Sequence, residues 1–148
     1  MSRISIKAVV LGAIVDMGAT MVAGIAFGIY AMMQIDLINV PKAQVGDAVA
    51  AFMHGSLVLR GLQFAAGAAA SVLGGYVAAR VANRDALLNG ALSAFLCMVL
   101  GVVSIVFGTN TSPLPVVVLD IVLSPLFGLA GGSLRLARQR RVPPAVAG

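Results

Sequence analysis

Charge is scarce in this chain, and that scarcity excludes most fold classes at once. Only 10% of its 148 residues are Asp, Glu, Lys or Arg, 60% are apolar, and the mean hydropathy is +1.04. A water-soluble domain carries about 25% charged residues, so these side chains cannot clothe a surface for water. Cysteine occurs once, as Cys97, which excludes an intrachain disulfide and leaves the redox compartment unmarked. Histidine also occurs once, as His54, in a different segment, so a metal site is not supported. Tryptophan is absent. No nucleophile–base set and no Gly-rich phosphate loop at a strand–helix turn can be read, so no enzyme and no cofactor is expected.

What is present comes in blocks. Apolar residues run together rather than at amphipathic spacing, the signature of lipid as solvent. Four blocks, 8–33, 57–79, 87–108 and 114–134, are long enough to cross a hydrocarbon core of ~30 Å, which takes ~20 helical residues at ~1.5 Å each. The expected fold is an all-α membrane protein, four transmembrane helices in an up-down bundle. It forms a single integral membrane domain over 1–148, with 135–148 a basic cytoplasmic tail, unstructured from Arg138 onward. The first block follows Arg3 and Lys7 as in a signal peptide, but it exceeds an h-region of ~7–15 residues and contains Asp16, so it reads as a retained helix. The fourth holds both Asp120 and Pro125, and the proline predicts a kink.

The net charge of +5 is distributed as in a membrane protein, not as in a nucleic-acid binder. Arg3 and Lys7, Arg80 and Arg84, and Arg135, Arg138, Arg140 and Arg141 each flank an apolar block, while the first connection has Lys42, with Arg60 just inside the second span, and the third, 109–115, has no cation. Alternate connections are therefore basic, which places both termini in the cytoplasm. The Ala/Gly/Val/Arg-rich composition fits a bacterium with a GC-rich genome, hence an inner membrane. The lipid bilayer is the first expected partner, and Arg135, Arg138, Arg140 and Arg141 can also attract anionic lipid headgroups.

Within the first connection Val45, Ala48, Val49, Phe52 and Met53 recur at helical spacing, with Gln44, Asp47 and His54 off that stripe. The pattern predicts a short amphipathic helix starting after Pro41 and ending at Gly55. It is either a separate helix on the outer surface or an extension of the second span.

Lipid gives no hydrophobic drive between helices, so packing relies on close backbone approach and polar contacts. Small residues recur every fourth position: Gly67, Ser71, Gly75 and Ala79; Ala66, Ala70, Gly74 and Ala78; Ser93, Cys97 and Gly101; Ser124, Gly128 and Gly132; Gly24 and Gly28. These faces serve packing within one bundle or the seam of a homodimer or larger membrane complex. Laying Gly74-Gly75 over Gly131-Gly132 puts Gln63 opposite Asp120, which hints at two parallel hairpin repeats.

The candidate polar site within the membrane comprises Asp16, Arg60, Gln63 and Asp120, because acids in apolar segments are costly and functional by default. Asp120 and Gln63 lie ~9 Å from the outer ends of their spans, with Arg60 one turn nearer the surface, so an Arg60–Asp120 clasp is expected if those helices touch. The depth of Asp16 depends on where its span begins.

Asp16-Met-Gly18-Ala-Thr20-Met resembles the first helix of the small multidrug resistance exporters, in which an acid followed by Gly and Thr exchanges protons for cationic drugs. Here the acid is Asp instead of Glu, one residue closer to the glycine, and the first loop is longer. Gly75-Tyr-Val-Ala-Ala79-Arg80-Val-Ala82-Asn-Arg84 looks like a degraded form of the cytoplasmic loop between helices two and three of major facilitator transporters, with Ala79 in place of that family's Asp. Four helices are too few for that fold. The same segment is similar to small bacterial multipass proteins of unassigned activity that carry Gly-Gly-Tyr-x-Ala-Ala-Arg at this bend. The resulting expectation is a non-enzymatic protein of structural or accessory role. The alternative is a small proton-coupled exporter using Asp16 or Asp120.

Overall fold

The computed structural model describes residues 4–36, 38–107 and 114–141, except for the side chains of 104–106, 114–117, 120 and 141. Helix α1 is Ile6–Gln34. Ser5 starts it: its Oγ accepts the Ala8 N–H at 3.4 Å and its carbonyl accepts the Val9 N–H at 3.0 Å, a serine N-cap. Beyond Gln34 the Asp36 carboxylate closes a turn, accepting the Ile38 N–H at 3.3 Å and the Asn39 Nδ2 at 2.7 Å.

One 3-10 turn, Lys42–Gln44, then leads into α2, Val45–Gly55. Ser56 is extended, at φ −106° and ψ 120°, and separates α2 from α3, Leu57–Ala82. The Ser56 Oγ accepts the Leu59 N–H at 3.4 Å and so caps α3. The amphipathic segment is thus a helix of its own, not an extension of the next one. After α3 the chain turns through Asn83 and Asp85, both at positive φ, 55° and 42°. Short polar side chains tolerate that region best among non-glycines. Helix α4 is Ala86–Val106 and α5 is Leu114–Arg141.

Three helices, not the expected four, are long and apolar enough among the described residues to cross a membrane: Ile6–Gln34, Leu57–Ala82 and Ala86–Val103. The described side chains of α5 begin at Val118, and from there Pro125, the paired glycines, Arg135 and Arg138 dilute its apolar run. The side chains of 114–117 and of Asp120, and residues 108–113 of the third connection, lie outside what is described. A second correction concerns the basic tail. Arg135, Arg138, Arg140 and Arg141 all belong to α5, because Leu, Ala, Arg and Gln propagate a helix and the next breaker is Pro143. Residues 142–148 lie outside the described part.

The chain divides into two compact units, Met1–Met17 with Ala69–Gly148, and Gly18–Ala68. In the first, segments of α1, α3, α4 and α5 meet through their smallest residues. Its buried side chains include Ala8, Ala13, Ala70, Ala78, Ala79, Ala82, Ala86 and Ala94, and the largest that are fully buried are Asn89 and Ser93. Meanwhile Ile14, Leu73, Phe95, Val122 and Leu126 are each about half exposed. A water-soluble core has the opposite order, with large apolar residues inside. Within this unit α1 runs antiparallel to α3, and α4 to α5: Gly12 meets Ala78 while Asp16 meets Ser71, and Gly132 meets Ala86 while Gly128 meets Ala94. This end of the unit carries Lys7, Arg80, Arg84, Arg138 and Arg140, all exposed.

In the second unit α2 turns Val45, Ala48, Val49, Phe52 and Met53 inward and leaves Asp47 and His54 exposed, as its period requires. The Phe52 ring lies 6.4 Å from that of Tyr30 in a tilted pair, a favourable aromatic geometry.

Candidate functional site

Asp16 lies ten residues into α1, about 15 Å along its axis, and is only 4% exposed. Gly12, one turn earlier, brings the backbones of α1 and α3 into contact. A Cβ on Gly74 would sit 2.6 Å from the Gly12 carbonyl oxygen and 2.8 Å from the Asp16 Cβ, and a Cβ on Gly12 would meet Ala78 and Ser93 at 2.7 and 2.8 Å. Only glycine at both positions permits this approach, and it shuts the carboxyl between the helices.

Polar neighbours come from both sides. The Ser71 Oγ of α3 donates to Asp16 Oδ1 at 3.3 Å. From α4 the Cys97 thiol reaches the Asp16 carboxyl and also lies 3.5 Å from the Ala13 carbonyl oxygen. A carboxyl, a hydroxyl and a thiol thus share one level of the bundle. Such a set can hold a proton or lock three helices in register. Among the described residues no group of three His, Cys, Asp or Glu side chains is placed to bind a metal.

The other residues singled out from sequence fall into four groups. Ser71, Gly75, Gly128 and Gly132 belong to the first unit and pack tightly: a Cβ on Gly75 would lie 2.5 Å from the Gly128 carbonyl oxygen, and one on Gly132 2.7 Å from that of Ala86. A Cβ on Gly67, on the same stripe as Gly75, would meet nothing within 4 Å among the described residues, and the same holds for Gly24, Gly28 and Gly101. Arg60 is exposed and Gln63 half-buried, both in the second unit. The Asp120 side chain lies outside the described residues, and with it the expected clasp to Arg60 and the pairing with Gln63.

Sequence reasoning missed a second polar centre. Asn89 is fully buried, and its side chain stitches the end of the bundle. Its Nδ2 donates to the carbonyls of Arg84 at 3.2 Å and Asp85 at 3.1 Å, and its Oδ1 accepts the Ser5 N–H at 2.9 Å. One amide therefore fixes the α3–α4 turn and the start of α1 together. An amide four residues after Asp85, in the first turn of an apolar helix, was the signal. Gly90 next to it touches α5 and α3, since a Cβ there would meet the Gly128 and Gly75 carbonyl oxygens at 2.7 and 3.1 Å.

Comparison with protein-family models, curated proteins and solved structures gives no match, so the functional reading rests on these residues alone.

Proposed function

We propose that the chain is a bacterial inner-membrane protein that crosses the bilayer four times, with both termini in the cytoplasm, and serves a structural or accessory role without catalysis. The inverted order of large and small side chains supports lipid as its solvent. Support for α5 as the fourth crossing is its tight seating on α3 and α4, both apolar enough to span, through Gly128, Gly131 and Gly132. The cations gathered at one end of the first unit support the orientation. At 29 residues α1 is about 43 Å long, more than a ~30 Å core needs, so it tilts or projects beyond it. The open faces at Gly24 and Gly28 leave room for a second copy or another membrane subunit.

The observation that carries the structural role is the closure around Asp16. Backbone contact between Gly12 and Gly74 seals it, and Ser71 bonds to it inside the bundle. A carboxyl enclosed in this way acts as a polar pin between helices.

The same carboxyl favours one competing reading, proton-coupled export of cations, because a proton carrier needs an ionisable group inside the membrane. Proteoliposomes separate the two. The wild-type chain is expected to show no proton flux driven by quaternary ammonium compounds, and Asp16→Asn to match that baseline. Asp16→Leu is expected to lower stability by about 1–3 kcal/mol, since the Ser71 hydroxyl loses its acceptor. Substrate-driven flux in the wild type that disappears in a folded Asp16→Asn protein would establish the exporter instead.

A further inference from the structure

Helices α3 and α5 run in the same direction and touch where Gly131 meets the Val72 carbonyl and the Tyr76 amide. Beside this contact a groove of about 540 Å³ opens between them, lined by Val72, Leu73, Tyr76, Leu134, Ala137 and Arg138. Its volume falls in the range of ligand sites, ~300–1,000 Å³. Four of the six residues are aliphatic, and the remaining two are polar only at their tips. The Arg138 Nη1 donates to the Tyr76 Oη at 3.4 Å, so a guanidinium and a phenol share one edge of an otherwise apolar wall. One turn back, Arg135 has a buried Nε that lacks a hydrogen-bond partner among the described residues. No acid follows Asp120 on α5 to neutralise these cations.

The geometry points to a specific site for one anionic phospholipid in this groove. An acyl chain lies along Val72, Leu73, Leu134 and Ala137, and the phosphate binds at Arg138 and the Tyr76 hydroxyl. The complementarity is that of the lipid itself: an apolar trough ending in a fork donor suited to phosphate oxygens. Both residues are amphipathic and belong at the membrane–water boundary, where anionic headgroups lie. This rests on the bilayer reading above and goes beyond a diffuse attraction of headgroups to arginines, because it assigns one residue and one stoichiometry.

Native mass spectrometry of the full chain in detergent, titrated with dioleoyl phosphatidylglycerol or dioleoyl phosphatidylcholine, tests it. One phosphatidylglycerol is expected to bind saturably and about tenfold more tightly than phosphatidylcholine, whose phosphate can accept the same hydrogen bond but whose choline cation cancels the net charge that Arg138 attracts. Arg138→Gln is expected to remove that preference, whereas Arg140→Gln, an exposed cation outside the groove lining, retains it. Equal binding of both lipids, or equal losses in the two variants, overturns the site. Competition by inorganic phosphate as effective as by the lipid overturns the role of the apolar wall. A chain that resists carbonate extraction from membranes yet shows no lipid preference sinks this site alone, while release by carbonate sinks the bilayer reading with it.

Discussion

Gly75→Leu is expected to lower the unfolding temperature of the purified protein sharply, while Gly67→Leu, on the same helical stripe, leaves it nearly unchanged. The Gly75 Cβ would stand 2.5 Å from the Gly128 carbonyl oxygen and 2.9 Å from the Gly128 Cα. Both are backbone atoms of α5, so no side-chain rotation can make room and the helices must separate. Overpacking of this kind costs about 1–3 kcal/mol, occasionally more. Separation would also open the contact of Gly90 with both helices, so the loss spreads to α4. At Gly67 an added Cβ would meet nothing within 4 Å among the described residues, so no backbone stands in the way of a side chain there. Thermal unfolding in detergent checks the pair. Equal stability of Gly75→Leu and wild type would mean that α3 and α5 are not in contact there.

The second large effect is expected at Asn89. Asn89→Leu removes three hydrogen bonds at once and leaves the Ser5 N–H and the Arg84 carbonyl without the partner they have now. The Asp85 carbonyl keeps the Asn89 backbone N–H, at 3.1 Å. Both bonds are part-buried, so water offsets some of the loss, and a total of about 1–3 kcal/mol is expected. Arg84→Ala, in the same turn but exposed, is the control and is expected to change little. Hydrogen exchange gives the sharper readout: the amides of the first turn of α1 and of the α3–α4 turn lose protection together in Asn89→Leu. Loss in only one of the two would show that the amide does not couple them.

How much of this was legible in the sequence depends on the physical signal. Helix positions followed from the apolar blocks, and a helix ending at Gly55 from its period, because length and periodicity are local properties; the period leaves its separation from the next span open, because that depends on the extended backbone of Ser56. Asp16 stood out because an acid in an apolar run is costly wherever it points. Of the small-residue stripes, Gly75, Gly128 and Gly132 lie in contacts, whereas a Cβ at Gly24 or Gly28 would meet nothing within 4 Å among the described residues. Spacing marks a face but cannot say whether a neighbour occupies it. Gly12, which sets the α1–α3 approach, has Ala8 four residues before it but Asp16 four residues after, so its stripe is short and was passed over. Asn89 was passed over because one amide barely alters the hydropathy of an apolar helix. Its role depends on Ser5, distant in sequence and adjacent only in the fold.

The account turns on α5 crossing the membrane beside α3 and α4, and the side on which its basic end emerges tests that most directly. In a Cys97→Ser background, Asp47→Cys, Asp85→Cys and Arg140→Cys are exposed positions on α2, on the α3–α4 turn and near the end of α5. With a membrane-impermeant thiol reagent on intact cells, stripped of any outer membrane, residue 47 is expected to label at once, and residues 85 and 140 only after permeabilisation. Labelling of residue 140 from the same side as residue 47 would contradict the fourth crossing.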